Sequence, residues 1–166
     1  MKSKVSRYIY MAILVIALVM IDIVAKILFE GKEFIIINNL LFIHSTHNYG
    51  AGLGIFSGKT IFLIIISFIF ICVFIFYDIY SKNQHKLFFI SMVLVLAGAF
   101  GNLIDRIALG YVRDYIYVNI SIMPYYFNIA DIFITAGVIC MLVEILFKGE
   151  HKKKDAEISN SKEWWR

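Results

Sequence analysis

An all-α membrane protein with four transmembrane helices and a small extracytoplasmic β-element is the fold this sequence predicts, on three observations. Of its 166 residues, 61% are hydrophobic, against roughly half in a soluble globular domain. Four apolar runs, at about 8–29, 60–77, 87–104 and 129–147, approach or exceed the roughly 20 residues a helix needs to cross hydrocarbon. Between the first two runs, residues 33–58 are rich in β-branched and aromatic side chains and then in glycine, the pattern of strands and turns. One four-span domain over residues 1–147 is expected, followed by a charged tail over 148–166.

The first run is too long for a cleaved leader, and Asp22 and Lys26 stand where a small-residue cleavage site belongs. In the β-element, Phe34-Ile35-Ile36-Ile37 and Leu40-Leu41-Phe42-Ile43 flank Asn38-Asn39, a candidate turn. Gly50, Gly52 and Gly54 then alternate with Ala51, Leu53 and Ile55, where backbone or ligand must approach closely. Residues 105–128 read as a loop. The tail composition suits a disordered or interfacial segment, with Trp164-Trp165-Arg166 at the level of lipid headgroups.

Four spans place both ends of the domain on one side. Eleven basic residues (Lys2, Lys4, Arg7, Lys82, Lys86, Lys148, Lys152, Lys153, Lys154, Lys162 and Arg166) fall on that side, and four (Lys32, Lys59, Arg106 and Arg113) on the other. The excess predicts cytoplasmic termini, with residues 30–59 and 105–128 facing outward. The net charge of +4 thus reads as an orientation signal, and no nucleic acid partner is expected. Cys72 and Cys140 lie within apolar spans without companion ligands, which fits buried small apolar residues.

Asp114 and Asp131 are the candidates for chemistry. Asp131 opens the last span and Asp114 precedes it in the outer segment. A carboxylate at a membrane boundary is costly unless paired or solvated. Two sharing a site split their protonation, so that the charged one activates water and the protonated one polarises a carbonyl. Asn128 is a candidate N-cap, with Asp131 at the third helical position, where the helix dipole favours an anion. Asp131 is therefore the expected anion of the pair. Asp22 and Lys26, spaced i, i+4, read as an ion pair turned into the bundle, or as a direct substrate contact. Asn102 and Arg106 repeat that spacing, and Arg106 suits bidentate capture of a carboxylate. Gly98 and Gly101 allow close approach of a neighbouring or substrate helix. Of the histidines, only His44 and His47 face outward and no H-E-x-x-H helix is present, so no metal or cofactor is expected.

Five short blocks occur in order: Asp22-Ile-Val-Ala-Lys26, Asn48-Tyr-Gly-Ala-Gly52, Gly101-Asn-Leu-Ile-Asp-Arg106, Gly110-Tyr-Val-Arg-Asp114 and Phe127-Asn-Ile-Ala-Asp131. With the four spans they make the chain resemble the bacterial lipoprotein signal peptidases, the type II signal peptidases. The resemblance implies an aspartic endopeptidase of the bacterial cell membrane. Such an enzyme removes the signal peptide from prolipoproteins that already carry a diacylglyceryl group, cutting before the lipidated cysteine. It implies Asp114 and Asp131 as catalytic dyad, with Asn48, Gly50, Asn102, Arg106, Asn128, Asp22 and Lys26 binding substrate or supporting the site. It further implies contact with membrane lipid, inhibition by globomycin-type compounds and action as a monomer. Ala25, and Leu53 after Gly52, depart from the family pattern, the latter in the glycine loop that the resemblance implies as a flap over the substrate. The competing readings are a small transport protein, an assembly subunit, and an aspartic protease that cuts within the hydrocarbon. Transport is disfavoured by the lack of an internal repeat.

Overall fold

The computed structural model describes the backbone of residues 2–51, 55–80, 85–120 and 123–163, and the side chains of residues 5–51, 55–80, 85–120 and 125–146. Residues Gly52, Leu53 and Gly54 of the expected flap, and Trp164-Trp165-Arg166, lie outside the described residues. Four long helices and four strands follow in the order α1 (Lys2–Phe29), β1 (Glu33–Ile37), β2 (Leu41–Asn48), α2 (Thr60–Tyr80), α3 (Lys86–Leu109), β3 (Val112–Ile120), β4 (Met123–Phe127) and α4 (Ile129–Glu163). Each helix contains a stretch apolar and long enough to span a membrane. Val5–Phe29, Thr60–Tyr80, Lys86–Leu109 and Ile129–Leu146 are these stretches.

The helices are apolar nearly all round, so burial rather than sequence periodicity separates their faces. Helix α3 is the hub, with α1, α2 and α4 packed against it. Two-thirds of its span is buried, compared with 28% for α1, 17% for α4 and 11% for α2. Met92, Val93, Leu96 and Ala97 of α3 meet Met11, Val15 and Val19 of α1 and Ile71 of α2 in one core. Ile13, Ile16 and Ile21 of α1, Ile61 and Phe68 of α2, and Ile139 and Leu146 of α4 are more than 40% exposed. An aqueous protein would bury them; in a bilayer, lipid is their solvent.

Small residues set the close α3–α4 crossing. A Cβ on Gly98 would collide with the Ala130 carbonyl oxygen and come within 2.6 Å of Ile134, and one on Gly101 would lie 2.6 Å from Asp22 Oδ2. Gly98 and Gly101 are thus filled by the protein's own α4 and α1. The close approach of a neighbouring helix is realised, whereas the groove for a substrate helix expected there is not.

The β-element is larger than the sequence suggested. β1 and β2 form the expected hairpin, turned at Asn39, whose φ is +60°, as asparagine tolerates. β3 pairs antiparallel with β2, and β4 with β3, giving a four-stranded sheet in the order β1-β2-β3-β4. Val112–Ile120 and Met123–Phe127 therefore supply half the sheet, and Asp114, expected in a loop, stands on a strand opposite Thr46. Helix α3 also runs five residues past the expected end, to Leu109, and closes on Gly110 at φ +85°. A left-handed cap of this kind accommodates glycine without steric cost. Helix α4 continues to Glu163, into the segment whose composition suggested disorder.

Candidate active site

Each of the polar residues singled out in the sequence converges on the start of α4. That start is capped three ways. Asp131 N–H donates to Asn128 Oδ1 at 3.0 Å, and Asn128 N–H donates back to Asp131 Oδ2 at 3.1 Å. This is a reciprocal capping box, with aspartate in place of the usual glutamate. Asp22 Oδ1, from α1, accepts the Ala130 N–H at 2.9 Å. Three otherwise orphaned backbone donors are thereby satisfied.

The two candidate carboxylates are held by a relay of amides. Asp114 Oδ2 accepts from Asn48 Nδ2 at 2.9 Å, and Asp114 Oδ1 from Asn128 Nδ2 at 2.7 Å. Asp131 Oδ1 accepts from Asn102 Nδ2 at 2.8 Å. Asn128 Nδ2 also reaches Asn102 Oδ1 at 3.2 Å, which closes the chain from one aspartate to the other. Asp114 is 1% exposed and Asn128 fully buried, while Asp131 is only partly buried and lines two cavities. Burial, followed by the nearby charge of Asp131, pushes the Asp114 carboxyl up to about 7 against the downward pull of its two amide hydrogen bonds.

Lys26 fixes the relay from below. Its ammonium lies 2.7 Å from Asp22 Oδ2 and 3.3 Å from Asp105 Oδ2, fully buried. It also donates to Asn102 Oδ1 at 3.1 Å. An ammonium can only donate, so the Asn102 oxygen must face Lys26 and its amide nitrogen must turn toward Asp131. Asp22 and Lys26 thus form an inward ion pair, with both side chains fully buried.

Asp105 and Arg113 were quoted within the motifs but given no role by sequence. Arg113 Nη2 lies 2.7 Å from Asp105 Oδ1, and Arg113 N–H donates to Asp105 Oδ2 at 3.0 Å, tying the end of α3 to β3. That hydrogen bonding raises the Arg113 guanidinium further above its ordinary range. The missed signal was the alternation of charge along Asp105-Arg106 and Arg113-Asp114, which becomes a contact once β3 folds back.

Arg106 does not grip a carboxylate. Its guanidinium donates to the Gly50 carbonyl at 3.0 Å and to the Asn102 carbonyl at 3.5 Å. Gly50 N–H in turn donates to Asn48 Oδ1 at 2.9 Å. The loop after β2 is thereby tethered on both faces of Gly50, and Asn48 is oriented with its amide nitrogen toward Asp114. Ala25 packs with Ile43 and Tyr115 beneath the sheet, and the Tyr115 ring stacks on Phe29 at 5.0 Å.

Two largely apolar cavities meet at Asp131. One of about 340 Å3 runs between β4 and α4, along Tyr125, Phe127, Ile132, Thr135 and Ile139. The other, of about 280 Å3, lies among α2, α3 and α4, with Arg106 and Asn102 at its polar end and Ile66, Phe70 and Ile134 along it. Among the described residues, no group of three or more His, Cys, Asp or Glu side chains has metal-binding geometry.

The fold matches solved bacterial membrane enzymes determined by the in meso method. One, at 2.3 Å resolution, superposes with a TM-score of 0.78 at 33% identity, over 86% of this chain and 91% of that one. A second, at 1.9 Å, gives 0.72 at 34% identity, over 82% and 92%. The class is therefore that of a multi-pass membrane enzyme. Residues 14–147 match the family described as Signal peptidase (SPase) II. The lipoprotein signal peptidase of Clostridium tetani (strain Massachusetts / E88) is 36% identical over 118 residues, which is 70% of this chain and 76% of that protein. That of Clostridium novyi (strain NT) is 35% identical over 127 residues, 75% and 86% respectively. This chain belongs to the signal peptidase II family, aspartic proteases of the membrane that cleave the signal peptides of prolipoproteins.

Proposed function

We propose that Asp114 and Asp131 are the catalytic dyad of a signal peptidase II acting on diacylglyceryl-modified prolipoproteins, and that the cut falls immediately before the lipidated cysteine. The observation that carries this reading is the amide relay, in which Asn48, Asn128 and Asn102 hold both carboxylates within one network. Asp131, at a helix N-terminus and open to the cavities, is the anion and general base. Asp114, pushed up to about 7 by burial and by Asp131, holds the shared proton.

A water between the carboxylates gives its proton to Asp131 as its oxygen attacks the scissile carbonyl. Asp114 donates a hydrogen bond to the developing oxyanion. The tetrahedral intermediate then collapses, the C–N bond breaks, and the proton taken up by Asp131 passes to the departing cysteine nitrogen. Asn102, Asn128, Asn48, Lys26 and Asp22 hold the carboxylates in place, while Arg106 and Gly50 fix the loop that borders the site. No step needs a metal or a cofactor.

The apolar cavities on either side of Asp131 suit a substrate with a hydrophobic signal helix and acyl chains, delivered laterally from the membrane. The distribution of basic residues supports cytoplasmic termini and a dyad on the extracytoplasmic face of the bacterial cell membrane. Monomeric action and inhibition by globomycin-type compounds belong to the same proposal. The test is the mass of the products formed from a lipidated prolipoprotein. A mature chain beginning at the diacylglyceryl-cysteine is expected. Cleavage elsewhere, or equal cleavage of the unlipidated precursor, contradicts the proposed substrate.

A further inference from the structure

The end of the bundle remote from the dyad holds a cavity lined by none of the residues assigned to the active site. It measures about 450 Å3 and is lined by Arg7 and Tyr10 of α1 and by Lys86, Phe89 and Ile90 of α3. Arg7 lies at the beginning of the first apolar stretch and Lys86 begins the third, so both cations stand where hydrocarbon gives way to headgroups.

Arg7 is pinned there. Its Nη2 lies 2.7 Å from Asp78 Oδ1, with a second hydrogen bond of 3.3 Å to Oδ2, and Asp78 is 1% exposed. Its guanidinium also lies 5.5 Å from the centroid of the Phe89 ring and 5.7 Å from that of Tyr8. Asp78 balances the Arg7 charge. Lys86 is exposed, and among the described residues no carboxylate pairs with it. Glu144, the acidic neighbour on α4, faces His85 at 3.5 Å. Lys86 opens α3, so the positive end of the helix dipole adds to its charge.

The lining thus holds two cations, against the single buried carboxylate of Asp78 behind Arg7. Among the described residues that line the cavity, Lys86 is the cation without a carboxylate partner, and its charge suits one phosphodiester. A zwitterionic headgroup would also bring an ammonium, and among the described residues no carboxylate lines the cavity to receive it. Tyr10 and Ile90, both exposed, carry the wall toward the hydrocarbon. We propose that this cavity binds the headgroup of an anionic phospholipid, with Lys86 on the phosphodiester and the acyl chains lying along Tyr10 and Ile90.

The test is native mass spectrometry of the full-length protein in detergent, titrated with phosphatidylglycerol and phosphatidylcholine of identical acyl chains. Wild type is expected to retain phosphatidylglycerol about fivefold more than phosphatidylcholine, the scale set by one interfacial cation. Lys86→Gln should bring the two lipids to parity. Lys86→Arg, and Lys59→Gln at the opposite end, should keep the preference. Equal retention by wild type, or a preference surviving Lys86→Gln, overturns the proposal. Displacement of the lipid by glycerol phosphate at the same concentration overturns it too, because the cavity would then be a site for soluble phosphate. Cleavage by Lys86→Gln in detergent should equal that of wild type.

Discussion

Asn128 and Asp131 cap each other: each donates its backbone N–H to the other's side-chain oxygen, at 3.1 and 3.0 Å. The same asparagine amide also holds Asp114 at 2.7 Å. Helix initiation and dyad geometry therefore reside in one side chain, and substitutions can separate them. Asn128→Ser retains an N-cap oxygen but loses the bonds to Asp114 and Asn102. Its thermal stability should stay close to wild type while cleavage falls at least tenfold. Asn128→Ala should lose a further ~1 kcal/mol of stability, the usual cost of an absent cap. Thermal unfolding alongside a cleavage assay checks both; equal losses in the two variants would argue against separate roles.

The protonation of Asp114 should be visible in the pH dependence. Its folded pKa of about 7 lies above the ordinary 3.8. Between those values the folded state therefore holds a proton that the unfolded state has released. Stability from this group is complete below pH 4 and is lost as pH rises toward 7. Asp114→Asn removes that slope, so its melting temperature relative to wild type should rise between pH 5 and pH 8. For wild type, kcat/KM should decline as pH rises through about 7, as the dyad loses its shared proton. A flat profile from pH 6 to 8 would contradict the assignment.

The buried cation under the relay should be indispensable to stability. Lys26→Met leaves Asp22 and Asp105 without it, and removing one partner of a buried pair costs about 3–5 kcal/mol. Asp105 retains Arg113 at 2.7 Å, so Asp22→Asn combined with Lys26→Met should recover part of the loss. Activity should stay low in the double variant, because Asn102 is then free to turn its amide nitrogen away from Asp131. Denaturation and cleavage measured together distinguish this from a purely structural effect, which would restore both.

Two glycines predict opposite severities. A methyl on Gly98 meets the Ala130 backbone carbonyl, so Gly98→Ala forces α3 and α4 apart and should cost about 1–3 kcal/mol or more. Gly110 has open space around a Cβ but sits at φ +85°. Gly110→Ala should cost only about 1 kcal/mol, from backbone strain. Thermal melts of the two variants give the ranking directly.

Much of this was legible in the sequence, for identifiable reasons. Hydrocarbon thickness imposes span length, so the four runs stood out, and Asn38-Asn39 between two β-branched runs disclosed the β1–β2 hairpin. The capping role of Asn128 followed from its place just before an apolar run. β3 and β4 did not show, because Val112–Ile120 pairs with β2 across a long sequence separation and carries Arg113, Asp114 and Asn119 among its apolar residues. Gly98 and Gly101 announced a close approach but not which helix makes it. Asp105 and Arg113 carried no role in the sequence, since their contact exists only once β3 returns alongside α3. The anchoring of Arg7 by Asp78, at the far end of the bundle, had no motif to mark it.

The central claim is that two carboxylates, and no other groups, perform the cleavage. Purified wild type, Asp114→Asn and Asp131→Asn, each shown to be folded, should be incubated with a diacylglyceryl-modified prolipoprotein in the presence of chelator. The account predicts full cleavage by wild type and loss of activity by at least a thousandfold in each variant. Cleavage surviving either substitution, or abolished by the chelator in wild type, would contradict it.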